Sequence, residues 1–349
     1  MTPKPVTIKT LASQIGVTPA TVSKALRDAS DISEKTKTKI KKLAKELGYK
    51  PNLMARNLVS KKSNIIGIVV PDISTSFFGF AVRGINLNAR EYSLETIVLV
   101  NNEDYKIERK NLEFLYNLQV DGIIMDAVPG NKNIDLLSEL TAKGIPIVFI
   151  DRKCKKIKAD SVTTNDVKAG YVMTKYFLSR KKKNIAFIGP TDKLSVAYDR
   201  LTGYKKALNE SKIAFNDKLI IPIDYAIKKE KLVEKIKTFI HSGVKFDSLI
   251  CTGGLIAYLA GATLLKSGID ISQNIFIGEF GDNNIVYRLG IPFVTVDQQP
   301  FNIGEKALSI LVNRINSKGK IFRKKHLYIN SKLIYINPYE QKRIIIADI

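Results

Sequence analysis

Apolar residues in the first sixty positions recur three and four residues apart, the spacing that buries one face of a helix. Gly16 can end the first helix and Gly48 the third, while Thr18, followed by Pro19, and Ser33 can cap the second and third. Only a few residues separate the first two helices, so the pattern predicts a helix-turn-helix. The three stripes consist of Ile8, Leu11, Ala12 and Ile15; Val22, Ala25 and Leu26; and Ile40, Leu43, Ala44 and Leu47.

Beyond residue 62 the pattern changes to short β-branched runs that alternate with helical stretches. Such alternation predicts parallel sheets with helices on both faces, and two series of runs predict two similar lobes. Further on, a strand, a helix and more strands suggest that the lobes exchange strands through short crossovers, which suits closure on a ligand. The first series is 65–70, 96–100, 122–125 and 147–150; the second is 184–188, 219–223, 248–251 and 275–277; and the later elements are 293–296, 303–315 and 325–336.

Charge adds the first indication of a partner. The 349 residues contain 56 Lys and Arg against 33 Asp and Glu, a formal net charge of +23. An excess of this kind favours a polyanion such as nucleic acid, although a Lys-rich composition also arises from genome composition or a hot habitat. Twelve of these cations and only four acids lie in residues 1–60, so the charge is concentrated on the predicted helix-turn-helix.

The cysteines, the histidines and the apolar runs of the sequence argue against several other classes of protein. Cys154 and Cys251 lie far apart without a CxxC motif, and the two histidines, His241 and His326, form no ligand cluster, so neither a disulfide framework nor a metal site is indicated. The sequence shows no signal-peptide pattern at its start and no membrane-length apolar run. We therefore expect a cytoplasmic protein without cofactor or metal, and without membrane contact.

The stretch from Thr7 to Leu26 reads TIKTLASQIGVTPATVSKAL, and it is followed by Asp31-Ile32-Ser33 and Gly48-Tyr49-Lys50-Pro51-Asn52. These motifs resemble the LacI/GalR family of repressors, and the resemblance extends to about residue 340. It implies an α/β fold in which a helix-turn-helix head and a hinge helix precede two doubly wound parallel-sheet lobes of periplasmic-binding-protein type. It also implies a transcriptional regulator, most simply a repressor, that a small molecule controls.

The domain boundaries implied are 1–50 for the DNA-binding domain, 51–62 for the hinge helix and linker, and 63–349 for the sensor. Within the sensor we expect lobe one to comprise about 63–162 and 294–323. Lobe two should then comprise about 163–293 and 324–349.

In this family the second helix enters the major groove, which carries distinct base patterns. The resemblance gives Pro19, Ala20 and Lys24 base-reading positions, with apolar contact from the first two and donation to guanine from Lys24. The hydroxyls of Thr18, Thr21 and Ser23 can contact phosphates. The alternative is that Thr18 is only a helix cap and Lys24 only a solvated side chain.

Residues 51–58, PNLMARNL, resemble the family's hinge helix. The resemblance implies that two such helices, one from each subunit, enter the minor groove. Asn52 and Ala55 then face DNA, and Leu58 wedges open a central base step. Without the resemblance, Leu58 would be interpreted as a core residue.

Ligands of open α/β sheets bind at the carboxyl ends of the strands. There the resemblance implies an effector site for a sugar or sugar derivative. Arg200 is the strongest candidate, because its planar guanidinium can hold hydroxyls or a carboxylate with two hydrogen bonds. The alternative for Phe77 and for Phe78 is that the ring is a core residue. The expected site comprises Ser76, Phe77, Phe78, Asp151, Arg152, Arg200, Gly254, Glu279 and Phe280.

Two departures from the family pattern bear on the ligand. Gly253-Gly254 stands where Asn-Asp is common, and Gly278-Glu279-Phe280-Gly281 stands where Gly-Phe-Asp is common. The acid that usually grips sugar hydroxyls is therefore displaced or lost. Either Glu279 substitutes for it or Phe280 stacks on the ligand, and the identity of the effector stays open.

Enzymatic function lacks support, since no nucleophile elbow, phosphate loop or metal cluster is present. A transport-type binding protein would share the sensor fold but not the basic helix-turn-helix. A paired hinge and a palindromic operator imply a homodimer. Residues 335–349 show no clear leucine heptad of the kind that builds family tetramers, which favours the dimer.

Overall fold

A computed structural model describes residues 6–49, 62–130, 132–154, 156–192, 196–225, 227–271, 275–281, 283–317 and 323–349. The chain divides into two compact units, and the boundary along the sequence lies between Ser63 and Asn64. The first unit contains the three predicted helices, and the second contains two α/β lobes.

The first unit, termed the head, consists of α1 (Ile8–Ile15), α2 (Pro19–Leu26) and α3 (Glu34–Glu46). The helix-turn-helix prediction is confirmed, and Gly16 ends α1 in the left-handed region at φ +78°. Thr18 and Ser33 cap α2 and α3 as expected, each accepting a hydrogen bond from the backbone N–H three residues on. The small core of the head is built from the predicted stripes and contains Leu11, Ala12, Val22, Ala25, Ile40 and Ala44.

Lobe one begins with five strands and the helices between them. The strands are β1 (Ile65–Val70), β2 (Glu95–Val100), β3 (Gly122–Met125), β4 (Ile147–Ile150) and β5 (Asp160–Thr163). The helices are α4 (Ser76–Ala89), α5 (Tyr105–Asn117) and α6 (Ile134–Ala142). The four predicted strands, β1 to β4, are parallel as expected, and β5 runs parallel to β4. Strand β5 was not predicted, because only Val162 within it is strongly apolar.

Lobe two repeats the arrangement. Its strands are β6 (Ile185–Gly189), β7 (Ile220–Pro222), β8 (Ser248–Cys251), β9 (Phe276–Phe280) and β10 (Phe293–Asp297). Its helices are α7 (Asp166–Ser179), α8 (Val196–Glu210), α9 (Lys229–His241), α10 (Gly254–Lys266) and the short α11 (Asn283–Tyr287). These strands are also parallel, and helices cover both faces.

The chain then returns to lobe one with α12 (Pro300–Asn316) and β11 (His326–Tyr328), and ends in lobe two with β12 (Lys332–Asn337) and β13 (Lys342–Asp348). In the described ranges the first sheet has the order β11-β5-β4-β3-β1-β2. The second has the order β13-β12-β10-β9-β8-β6-β7. The expected crossovers are therefore present, after β5, after β10 and after β11.

Strand pairing corrects the expected lobe limits in two places. Residues 294–297 were expected in lobe one, but β10 pairs with β9 and β12 in the second sheet. Residues 326–328 were expected in lobe two, but β11 pairs with β5 in the first sheet. The crossovers thus lie at about residues 298 and 329 rather than 293 and 323, because the sequence pattern shows where strands are but not which neighbours they pair with.

Glycines allow two pairs of helices to touch through their backbones. A Cβ on Gly84 of α4 would lie 2.2 Å from the carbonyl oxygen of Phe301, and one on Gly304 of α12 would lie 2.0 Å from that of Ala81. In lobe two, Gly170 of α7 and Gly203 of α8 are packed in the same way. The contacts of Gly84 and Gly304 hold α12 against α4. The chain segment that returns from lobe two is therefore packed onto lobe one.

Candidate functional site

The second helix of the head presents a polar and accessible face. Thr18, Pro19, Ala20 and Lys24 are exposed, and Thr21 and Ser23 are partly exposed. Val22 and Ala25 lie on the opposite face and are fully buried in the head core. The residues expected to contact DNA therefore share one surface of α2, because the helical period separates them from the core positions.

Some of these groups already have intramolecular partners. Thr18 Oγ1 accepts from the Thr21 N–H over 3.1 Å and lies 2.9 Å from Thr21 Oγ1. Lys24 Nζ forms an ion pair with the exposed carboxylate of Asp31, and this hydrogen bond lowers the pKa of Asp31. Thr18 thus acts as a cap, and Lys24 uses one of its three ammonium donors on Asp31.

The remaining DNA-contact predictions, Asn52, Ala55 and Leu58, fall on residues 50–61, outside the described residues.

The carboxyl end of β4 places Arg152 in a cluster of acids. Arg152 Nε donates to both carboxylate oxygens of Asp126 over 3.0 and 2.9 Å, and Nη1 and Nη2 donate to Glu103 over 2.9 and 3.0 Å. Arg152 Nη2 also pairs with Asp126, and the guanidinium lies 5.4 Å from the ring centroid of Tyr225 in lobe two. The fork of Arg152 is therefore filled by protein groups.

Asp151, next to Arg152, is different. It is partly exposed, has φ +55° in the left-handed region, and accepts no hydrogen bond within the part of the chain described. Burial first, and then repulsion from Asp166 of lobe two, raise its pKa to about 6. A carboxylate without donors that faces a second acid is a site that a ligand carrying hydroxyl or amine hydrogens can satisfy.

Arg200 of α8 is the centre of the corresponding cluster in lobe two. Its Nε donates to Asp166 over 2.7 Å and its Nη1 to the Thr252 carbonyl over 2.7 Å. The guanidinium also lies 4.2 Å from the centroid of the Phe280 ring. Arg200 is buried, with only 5% of its surface exposed, so these contacts assign it a supporting position beneath the cleft as well as any contact with a ligand.

The remaining residues predicted for the effector site at the strand ends of lobe two are buried. Phe280 is buried in the lobe two core, and Glu279, its neighbour on β9, is wholly buried. The charge of Glu279 adds to the burial that raises the pKa of Cys251, so the two side chains are close. Gly254 is the first residue of α10 and is also buried. Neither Glu279 nor Phe280 offers an accessible surface to a ligand in this conformation.

The loop after β1 brings an aromatic pair to the border between the lobes. Phe77 is buried in the lobe one core and meets Phe78 edge to face, with ring centroids 5.0 Å apart. Ser76 is partly exposed at the start of α4. A Cβ on Gly281 of lobe two would lie 3.8 Å from the Phe77 ring, so the end of β9 closes over this pair.

Asp126, Glu103 and Asp166 were not predicted, although they hold the two arginines. Asp126 directly follows β3, so the rule that sites gather at carboxyl strand ends would have identified it. No sequence signal identifies Glu103. Its position depends on a loop in which Asn102 and Glu103 are both left-handed, at φ +52° and +61°.

Two observations concern other classes of site, and both apply to the described ranges. They contain no group of three or more His, Cys, Asp or Glu side chains that could hold a metal ion. They also contain no helix that is long and apolar enough to cross a membrane.

The geometry defines a protein with a helix-turn-helix head and a two-lobed sensor with a polar cleft. Comparison with family models agrees for both units. Residues 7–52 match "Bacterial regulatory proteins, lacI family", and residues 63–331 match "Periplasmic binding proteins and sugar binding domain of LacI family". The chain belongs to the LacI family of bacterial regulatory proteins, and it is a transcriptional regulator rather than an enzyme.

Individual relatives agree with this assignment. The chain is 32% identical over 313 residues to the HTH-type transcriptional regulator RegA of Clostridium saccharobutylicum, covering 89% of this chain and 93% of RegA. It is 33% identical over 319 residues to MalR of Streptococcus pneumoniae, with the same coverage. Both relatives are HTH-type transcriptional regulators by name.

Solved structures show the same fold. A lac repressor dimer bound to operator and the anti-inducer ONPF has a TM-score of 0.79 at 21% identity, covering 97% of this chain and 98% of that chain. The transcriptional regulator CelR in complex with cellobiose has a TM-score of 0.70 at 19% identity, covering 94% and 98%. At these identities the likeness supports the fold alone.

Proposed function

We propose that the chain is a homodimeric repressor that reads operator DNA with α2 and releases or tightens it when a neutral sugar-like ligand binds between the lobes. The observation that carries the ligand half is Asp151. It lies at the carboxyl end of β4, accepts no hydrogen bond within the described residues, and faces Asp166 from the other lobe. A sugar hydroxyl supplies the donor that this carboxylate lacks.

The charge of the cleft supports a neutral ligand. Among its described residues, the guanidinium groups of Arg152 and Arg200 are bound to protein oxygens, and four carboxylates surround them. A phosphorylated or carboxylated ligand would be repelled by the carboxylate of Asp151. Polyhydroxyl ligands carry donors without that cost.

The DNA half is supported by the face of α2. Pro19 and Ala20 are exposed and can make apolar contacts, for example with a thymine methyl, while Lys24 can donate to guanine. Asn52, Ala55 and Leu58 complete the proposed contact set as minor-groove residues.

An exposed apolar surface supports the dimer. Phe80 and Leu87 of α4, together with Ile73, expose between 40% and 54% of their surfaces. Phe80 and Leu87 are seven residues apart and so lie on one side of the helix. A second copy of the chain would cover this apolar side.

The experiment compares two single variants, each directed at one half of the proposal. Duplexes are first selected from a random pool with the wild-type protein, and sugars are screened by thermal shift. Lys24→Ala should lose about 1–3 kcal/mol of binding at one base pair of the selected duplex and keep the thermal shift. Asp151→Asn should bind the same duplex normally and lose most of the thermal shift.

Two results would contradict the proposal. Equal loss by Lys24→Ala on every duplex would make Lys24 a phosphate contact and remove it from base reading. An unchanged thermal shift in Asp151→Asn would remove Asp151 from the ligand site. Asp31→Asn serves as the control for Lys24, since it frees the ammonium group and should strengthen DNA binding.

A further inference from the structure

Two loops at one edge of lobe one bring five exposed cations together. Lys324 Nζ donates to the Ile157 carbonyl over 3.4 Å, and Arg314 Nη2 donates to the Arg323 carbonyl over 2.9 Å. The first bond joins the loop before β5 to the loop before β11, and the second holds the loop before β11 against α12. The five cations, termed the basic patch, are Lys156, Lys158, Arg323, Lys324 and Lys325.

Within the described ranges, the cations of the basic patch are not paired with acids. Asp160, the acid between the two loops, is bound by Arg314 Nε and Nη2 over 2.6 and 2.8 Å and by the Lys325 N–H over 2.7 Å. None of the five patch side chains forms an ion pair within the described ranges. Burial, and then the charges of Lys153 and Lys324, lower the pKa of the neighbouring His326, which is consistent with a positive potential here.

The position of the patch follows from the parallel sheet. The register pairs Ile66 with Gly122, Ile123 with Ile147, Val148 with Asp160, and Ser161 with His326. Because these strands are parallel, Lys158 and Lys325 lie at the same edge as Asn64, which precedes β1. This edge receives the chain from the head, whereas the ligand cleft lies at the opposite, carboxyl edge.

We infer that the basic patch binds the phosphate backbone of DNA that extends beyond the bases read by α2. The inference rests on the proposed function, in which α2 of the same chain binds a DNA duplex.

The test is the salt dependence of DNA affinity in the full chain. The patch variant carries Lys158→Gln, Arg323→Gln and Lys325→Gln. The control variant carries Lys229→Gln, Lys231→Gln and Lys237→Gln, which remove three exposed cations from α9 of lobe two. Both variants change the net charge equally, and thermal unfolding checks that both are folded. The probe is a fluorescent mixed-sequence duplex of about 60 base pairs, several turns longer than a site of two half-sites.

The slope of log affinity against log salt should become shallower by about 0.9 for each phosphate contact that the patch variant loses. The control variant should keep the wild-type slope. Equal slopes in the two variants, whether changed or unchanged, would overturn the inference, and an unchanged patch variant would direct attention to an acidic protein partner. If the wild-type protein itself fails to bind the duplex, the proposed function fails instead, so the two failures are distinguishable.

Discussion

The two arginines of the cleft illustrate how much a single residue depends on its neighbours. Arg152 and Arg200 occur at strand-end and helix positions that suggest ligand contact, yet both are buried and bound to acids of the same lobe. Burial without these partners would be costly, since an unpaired buried charge loses its hydration. Their first role is therefore to fix the walls of the cleft.

Arg200→Ala should lower the free energy of unfolding by about 3–5 kcal/mol, because it leaves buried Asp166 and the Thr252 carbonyl without a donor. Denaturant unfolding, followed through a signal from the sensor, measures the loss of unfolding free energy. Arg200→Lys keeps the charge and should lose less. A stable Arg200→Ala variant that merely fails to respond to ligand would show that the residue acts by ligand contact instead.

Asp151 gives a prediction for pH. Its pKa is about 6 in the folded protein against 3.8 in the reference state, so the folded protein holds the proton more tightly than the unfolded chain. Stability should therefore fall as the pH rises from about 4 to about 6 and stay lower above that. Asp151→Asn should remove this component and raise the melting temperature at pH 7.5 more than at pH 4.5. Equal shifts at both pH values would mean that neither burial nor Asp166 raises the pKa of Asp151 in the folded protein.

Pairs of helices are fixed by contacts that side-chain patterns do not show. α4 and α12 are separated by more than two hundred residues in sequence and touch through Gly84 and Gly304. Both glycines lie within regular helices, so neither is needed for an unusual backbone conformation. They are needed because a side chain would prevent the two helices from approaching so closely. This contact holds the helix that returns from lobe two.

Gly84→Ala should destabilise the sensor by about 1–3 kcal/mol, because the new methyl group overlaps the Phe301 carbonyl. Gly79, in the same helix, offers a matched control. A Cβ there meets the Ile73 carbonyl at 3.4 Å, and Gly79→Ala should be neutral or stabilise by up to about 1 kcal/mol through helix propensity. The melting temperatures of the two variants test this difference. Equal melting temperatures would show that α4 and α12 separate easily.

The whole molecule connects a DNA-reading head to a cleft through a chain that enters lobe one at β1. The lobes are joined by three crossovers within the described residues, and one of them is held by Gln298 Nε2, which donates to Thr164 Oγ1 over 3.0 Å. We expect a ligand that favours one arrangement of the lobes to change the affinity of the head for DNA. Ligand binding and DNA binding are then linked as two states of one protein.

Linkage requires that the ligand alter DNA affinity by the same factor by which DNA alters ligand affinity. We expect a factor of about 5–150, typical of allosteric couplings. Anisotropy titrations of the selected duplex, with and without the sugar found by thermal shift, measure the first factor. Calorimetric titration of the sugar, with and without the duplex, measures the second. Factors that differ beyond error would rule out a two-state linkage, and a factor of one would separate the sensor from DNA binding.

Local pattern alone determined the head. Its three helices, their caps and its core follow from spacing and capping residues, because neighbours along a helix are also neighbours in sequence. The alternation of strands and helices gave the two α/β lobes for a similar reason, and the motifs of α2 gave the family.

Tertiary structure decided which strands pair and which polar groups meet. β10 and β11 joined the sheets opposite to those expected, because pairing depends on crossovers that leave no trace in the residue pattern. Glu279 and Phe280 became interior residues, and Arg152 and Arg200 became bound to acids that lie between 26 and 49 residues away. The energy of a buried charge depends on its whole surroundings, so only the folded chain distinguishes Asp151, which keeps an unfilled carboxylate, from its neighbours that do not.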